Sequence, residues 1–150
     1  MRINFIKSGE KKKLLKDLNE TFGIKEIKHV LLETGKGKVR GFTGSMNREE
    51  LEELAEIARV ETIGLYLFRK EDRGELRLGL DGCHAFGEQI DKNVIEIEDV
   101  EKWMKGEDLI VEEDYGMKVV ANNGDLLGCG KSTGEKLVNF VPKERRIRRS

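Results

Sequence analysis

Gly130-Lys131-Ser132 has the residue types that close a phosphate-binding loop, where backbone N–H groups and a lysine cradle phosphates and a hydroxyl holds a magnesium ion. The spacing does not support that chemistry. The loop requires a glycine five residues before Gly130, and Asp125 stands there, with Gly124 one step out of register. A helix must also follow the hydroxyl residue, whereas Thr133-Gly134 and then a strand pattern follow Ser132. Val30–Gly37 looks like a strand running into the glycine loop of a dinucleotide or S-adenosylmethionine site. There the third glycine would fall on Arg40, and Glu53 and Glu56, at the distance of a ribose-binding acid, sit inside a helical pattern. A hairpin turn explains Gly35 and Gly37 better. Cys83-His84 pairs a nucleophile with a base, but adjacent strand residues point to opposite faces and no third orienting group is identifiable. A buried thiol beside a loop histidine is the expectation, and no catalytic residue is assigned.

Metal chemistry is equally poorly supplied. The chain has two cysteines, Cys83 and Cys129, in no CxxC pair, and two histidines, His29 and His84. A structural zinc site needs four ligands at paired short spacings. No metal and no cofactor are expected.

What stands out is anion recognition. The 150 residues hold 28 Lys+Arg against 29 Asp+Glu, a formal charge of −1. The nine residues Pro142–Ser150 hold five basic groups and one acid, so residues 1–141 carry 23 basic and 28 acidic groups. A basic end on an acidic body is the footprint of a localised anion-binding surface, with nucleic acid a common partner. At 37% hydrophobic the chain can fill a core, and no apolar run approaches the ~18–20 residues that span a bilayer. The first residues lack the pattern of a signal peptide, and a soluble, cytoplasmic protein is expected.

The elements that must position these residues fall into two groups. Arg2–Ile6 is a strand candidate, and Ser8 can cap a helix with Leu14, Leu15, Leu18 and Phe22 on one face and Gly23 as its stop. Strands are expected over Ile27–Glu33 and Lys38–Phe42, a helix from Asn47, and two further strand arms over Thr62–Phe68 and Glu75–Leu80 around the Glu71–Gly74 turn. The texture changes at Asp81-Gly82. Short strands follow over Val94–Ile97, Leu109–Glu112, Lys118–Ala121, Leu126–Gly128 and Lys136–Phe140, with one amphipathic helix over Glu98–Lys105. Close-spaced short strands with turn signals suggest a small barrel. The fold class expected is α+β: an N-terminal α/β domain over residues 1–82 and a C-terminal β-barrel domain over 83–150.

The stretch Gly128–Arg146 carries a family signal. Gly128, Gly130 and Lys131, then Lys136, Leu137, Asn139, Pro142, Lys143 and Arg146, match a glycine-rich "GxGK" turn leading into a "K-L-x-N-x-x-P-K-x-x-R" strand and exit. This resembles the closing segment of PUA domains, small RNA-binding barrels, in the form attached to Sun-type RNA cytosine-5 methyltransferases. Trp103–Leu109 is similar to the PUA helix and the strand after it. The first half carries neither the methyltransferase's cofactor domain nor its cysteine motifs. The whole therefore looks like stand-alone pre-PUA plus PUA proteins, including Nip-type ribosome-biogenesis factors.

The resemblance implies non-catalytic binding of structured RNA in ribosomal RNA maturation or modification, with transfer RNA a second possibility. A protein delivering RNA to a separate methyltransferase or pseudouridine synthase is the alternative; a small enzyme built on the α/β half is a more distant one. Lys131, Lys136, Asn139, Lys143, Arg145, Arg146, Arg148 and Arg149 are the residues expected to meet phosphates and base edges, because arginine and lysine pair with phosphate and arginine also stacks on unpaired bases. Gly128, Gly130 and Gly134 would let the backbone approach the RNA. Trp103 and Phe140 are expected to pack, and the acidic helix Glu49–Glu56 to face away from RNA.

Overall fold

The computed structural model describes residues 4–35, 37–43, 48–57 and 64–147. Its first half is a five-stranded antiparallel meander, β1 (Asn4–Phe5), β2 (Val30–Thr34), β3 (Lys38–Phe42), β4 (Leu65–Lys70) and β5 (Leu76–Leu78), ordered as in the chain. Helix α1 (Ser8–Phe22) covers one face because Leu14, Leu18 and Phe22 recur at the helical period and are all buried. Gly23 ends it in the left-handed region at φ 83°, its N–H bonded to the Asn19 carbonyl, as a glycine stop does. Ser8 is not the cap: Lys7 holds that position with extended backbone, and Ser8 is the first helical residue. Helix α2 (Arg48–Ile57) opens with Glu49 and Glu50 in its first turn, where carboxylates suit the helix dipole. The capping residue expected for it, Asn47, lies outside the described residues.

At the expected boundary the chain forms a helix, α3 (Leu80–Phe86), where the sequence suggested only a change of texture. Gly82 sits in its first turn against β4. A Cβ there would overlap the Leu67 carbonyl oxygen and lie 2.7 Å from its carbonyl carbon, so only glycine allows the helix this close to the strand.

The second sheet is a curled half-barrel of β6 (Val94–Glu96), β7 (Leu109–Ile110), β8 (Gly116–Asn122), β9 (Asp125–Ser132) and β10 (Lys136–Asn139), in the order β6-β8-β9-β10-β7. β6 runs parallel to β8; the other pairs are antiparallel. Between β6 and β7 lies α4 (Val100–Met104), capped by the Asp99 side chain, which accepts from the Lys102 N–H at 3.0 Å. The fold is α+β, with the barrel-like sheet at the C-terminal end.

Among the described residues two apolar clusters hold the fold together. Trp103, fully buried, anchors the smaller one with Ile95, Ile97, Val120, Leu137 and Val141, and its indole N–H donates to the Leu127 carbonyl at 2.9 Å. Burial of a large side chain contributes roughly 1.5–3 kcal/mol. The larger cluster runs across both halves: Leu18, Phe22, Val39 and Phe68 from the first pack in one group with Cys83 and Phe86 of α3 and with Met117, Val119 and Cys129 of the half-barrel. Among the described residues no helix is long and apolar enough to cross a membrane.

Candidate nucleic-acid interface

Strand β9 decides the fate of the glycine-rich motif. The sequence suggested a strand ending at Gly128 and a turn beyond it, but β9 continues through Ser132. Gly130 lies inside the strand, where a Cβ would stand 2.7 Å from the Val138 carbonyl oxygen and 2.8 Å from the Trp103 ring. Its glycine is a requirement of packing around Trp103, not of an approaching phosphate. Ser132 is buried and its hydroxyl donates to the Glu113 carbonyl at 2.9 Å, so the residues resembling a phosphate loop are spent inside the sheet. Gly128 (φ 104°) and Gly134 (φ 100°) do take up backbone that favours glycine.

Among the described residues, the basic side chains expected at the RNA turn to different partners. Lys131 reaches across to the first half, pairing with Glu75 at 2.7 Å beneath the Tyr115 ring; the Glu75 carboxylate, then Tyr115, hold its ammonium above its ordinary pKa. Lys136 begins β10 beside Asp108 at 3.7 Å, about 10 Å along the strand from Asn139. Asn139 is a correction. It is buried, its amide nitrogen donates to the Trp103 and Glu107 carbonyls at 2.7 and 2.9 Å, and its oxygen accepts from the Val141 N–H at 2.8 Å. Both amide donors are consumed within the protein, which leaves none for a base edge.

Beyond β10 the chain exits through Pro142 and a single 3-10 turn, Lys143–Arg145. Lys143 projects into solvent. Arg145 lies 3.4 Å from Asp81 of α3. Arg146 folds back over Gly106, where a Cβ would collide with its guanidinium, and its Nε donates to the Val141 carbonyl at 2.9 Å. Arg148 and Arg149 lie outside the described residues.

A second group of cations lies in the first half. In the first sheet Lys38 stands directly opposite Arg69, and Arg69 opposite Arg77, across β3, β4 and β5. The register shifts between Val39 and Arg40, which pair with Phe68 and Tyr66, so Tyr66 and Arg69 share a face although three residues apart. Like charges directly opposite are unfavourable in a sheet. This face forms one wall of a cleft of about 490 Å³ whose other wall is Gly128, Phe140 and the exit residues Val141, Pro142 and Arg145.

Arg77 lies over the Phe140 ring at 4.5 Å and pairs with Glu71 at 3.2 Å. Lys38 sits 5.8 Å from the centre of the Tyr66 ring. Burial raises the Tyr66 phenol pKa, with Arg77 opposing, so it stays protonated at neutral pH. Among the described basic residues expected at the RNA, Arg145 alone lines this cleft together with the missed cations. The signal available in the sequence was the Lys38-Val39-Arg40 alternation, which has no partner until strand register is known.

The remaining chemical candidates are closed. Cys83 is fully buried in α3, not on a strand, and His84 is exposed with Nε2 2.9 Å from the Leu126 carbonyl oxygen. Burial pushes both thiols up, Cys129 to about 12. Neither is expected to react with iodoacetamide at pH 8 in the folded protein, whereas both should in 8 M urea. Mass spectrometry reads the outcome, and rapid labelling of the native protein would contradict this packing. Among the described residues no three His, Cys, Asp or Glu side chains converge as metal ligands would.

The half-barrel with its parallel outer strand, the tryptophan-anchored helix and the proline exit lie in the region that the comparison with known families supports as a PUA domain, a class of domain associated with RNA binding. Residues 92–147 match the family described as the methyltransferase RsmF PUA domain, the form similar to that of Sun-type methyltransferases. No curated protein matches the chain.

Proposed function

We propose that the protein is a non-catalytic RNA-binding factor of the cytoplasm that acts in ribosomal RNA maturation or modification. In this reading residues 1–82 form a module that orients the PUA module, residues 83–150, toward structured RNA. The observation that carries it is the PUA match over residues 92–147, whose exit strand leads into exposed Lys143 and Arg145. The glycines at 35 and 37 lie between two paired antiparallel strands, the place of a hairpin turn.

The test is a salt titration of RNA binding by the full chain and by the Lys143→Gln/Arg145→Gln double variant. Each lost phosphate contact should flatten the slope of log K against log salt by about 0.7–0.9. A shallower slope by roughly 1.4–1.8 in the double variant is expected. An unchanged slope would remove the exit from the interface, and no RNA binding at low salt would end the RNA reading.

A second reading, delivery of RNA to a separate modifying enzyme, draws support from the half-barrel's two outer strands. They expose Ile110, 91% accessible on β7, and Val94, 42% accessible on β6. Unpaired strand edges with apolar side chains suit a protein partner. Co-purification of a methyltransferase or pseudouridine synthase with the native protein, lost in Ile110→Lys, would favour it.

A further inference from the structure

We propose that the cleft between the cationic face of the first sheet and the barrel exit receives one unstacked nucleotide of the bound RNA, its phosphate on Lys38 and Arg69 and its base on Tyr66. The inference rests on the RNA-binding reading and assigns to that RNA a subsite it does not otherwise have.

Three observations converge on it. The first is charge. The cleft is lined by five basic side chains and two acidic ones, and one of the acids, Asp81, already faces Arg145 at 3.4 Å. The Nε of Arg69 is buried with no hydrogen-bond partner among the described residues. Arg69 itself lines the cleft, where its guanidinium can pair with a phosphate.

The second is a flat surface for a base. The Tyr66 ring packs on one side against Gly79, where a Cβ would stand 3.2 Å from the ring edge, and carries the Lys38 ammonium at 5.8 Å. That ammonium is at the outer limit of a cation–π contact and sits on an exposed, flexible stem, so a base can take its place while it pairs with the phosphate. Arg77, stacked on Phe140, adds a second planar cation of the kind on which bases stack.

The third is size and place. About 490 Å³ is in the range of small-ligand sites and accommodates one nucleotide, not a run of them. One wall is the exit itself, so RNA held by Lys143 and Arg145 passes the mouth of the cleft. A duplex cannot enter, because its bases are paired and stacked; a bulged or terminal nucleotide can.

The experiment compares two RNA hairpins, fully paired and carrying one unpaired 2-aminopurine nucleotide, for binding to the full-length protein. At least about tenfold tighter binding of the bulged hairpin is expected, with a change in 2-aminopurine fluorescence on binding. Arg69→Gln and Tyr66→Leu should abolish both the preference and the fluorescence change, so that the bulged hairpin binds no more tightly than the paired one. Lys38→Gln, at an exposed position that cannot disturb the core, should weaken the preference severalfold and keeps the test decisive if a cleft variant unfolds.

Equal affinity for the two hairpins, or a preference that survives Lys38→Gln and the cleft variants, would overturn the proposal and leave RNA binding at the exit intact. Failure to bind either hairpin would bring down both readings. Uridine 5′-monophosphate binding more tightly than the bulged hairpin would reassign the cleft to a free nucleotide and overturn it as well.

Discussion

Gly82→Ala is expected to lower the stability of the protein by about 3 kcal/mol, although alanine is ordinarily the better helix former by about 1 kcal/mol. The sign is set by the neighbour. A Cβ on Gly82 overlaps the Leu67 carbonyl oxygen, a backbone atom held in β4 by its bond from the Gly79 N–H at 3.0 Å. It cannot swing aside as a side-chain tip would, so α3 must lift from the sheet. Overpacking costs roughly 1–3 kcal/mol and more where the backbone has to move, which exceeds the propensity gain. The fall in Tm should be roughly 6–12 °C for a chain of this size. Gly9→Ala is the internal control: Gly9 also lies in a helix, but nothing stands within 4 Å of its would-be Cβ, so the substitution should be neutral or slightly stabilising. If both variants melt with the parent, α3 does not pack on β4 as described.

Asn139→Ala is expected to cost about 3–4 kcal/mol, through an opposite mechanism. Nothing collides; instead the Glu107 carbonyl and the Val141 N–H lose the partner the amide gave them, and the Trp103 carbonyl keeps only its bond from the Gly106 N–H at 3.0 Å. Each polar group left unsatisfied in a buried site costs roughly 1–3 kcal/mol, and water entering the space recovers part of that. The amide ties the end of α4 to the exit strand, so the loss should appear in urea unfolding as a lower midpoint with an unchanged slope. An unchanged midpoint would mean that the amide is not a tie. For a domain whose total stability is commonly 5–15 kcal/mol, either substitution removes a large share.

The contrast between these residues and the sequence reading shows which physics a linear pattern carries. Helix α1 and strand β3 were legible because each has one buried face whose period is local: Leu14, Leu18 and Phe22 in the helix, Val39 between Lys38 and Arg40 in the strand. Helix α3 was not, since Leu80-Asp-Gly-Cys-His-Ala-Phe86 has a glycine in its first turn and only seven residues; its helicity comes from docking on β4 and β9. The motif glycines misled for a related reason. Gly130 reads as a turn residue, yet what demands a glycine there is Trp103, 27 positions earlier in the chain.

The candidate site divides the same way. Arg145 is visible in a basic run near the end of the chain. Lys38, Arg69 and Arg77 are scattered among ordinary alternating strands, and become a group only through pairing register and the shift at Val39. Asn139 was legible as part of a motif but not as a buried one, because a motif records which residue is needed and not which way it points.

The ladder of like charges across β3, β4 and β5 has a thermodynamic corollary. Repulsion between Lys38, Arg69 and Arg77 is present whenever the protein is folded and relaxes when the chain unfolds. An anion seated among them relaxes it without unfolding. This repulsion and the affinity for such an anion are one coupling, so an anion bound at this face would stabilise the native state in proportion to its saturation. Because the larger apolar cluster joins both halves of the molecule, that gain is shared by the half-barrel as well as by the sheet that carries the charges.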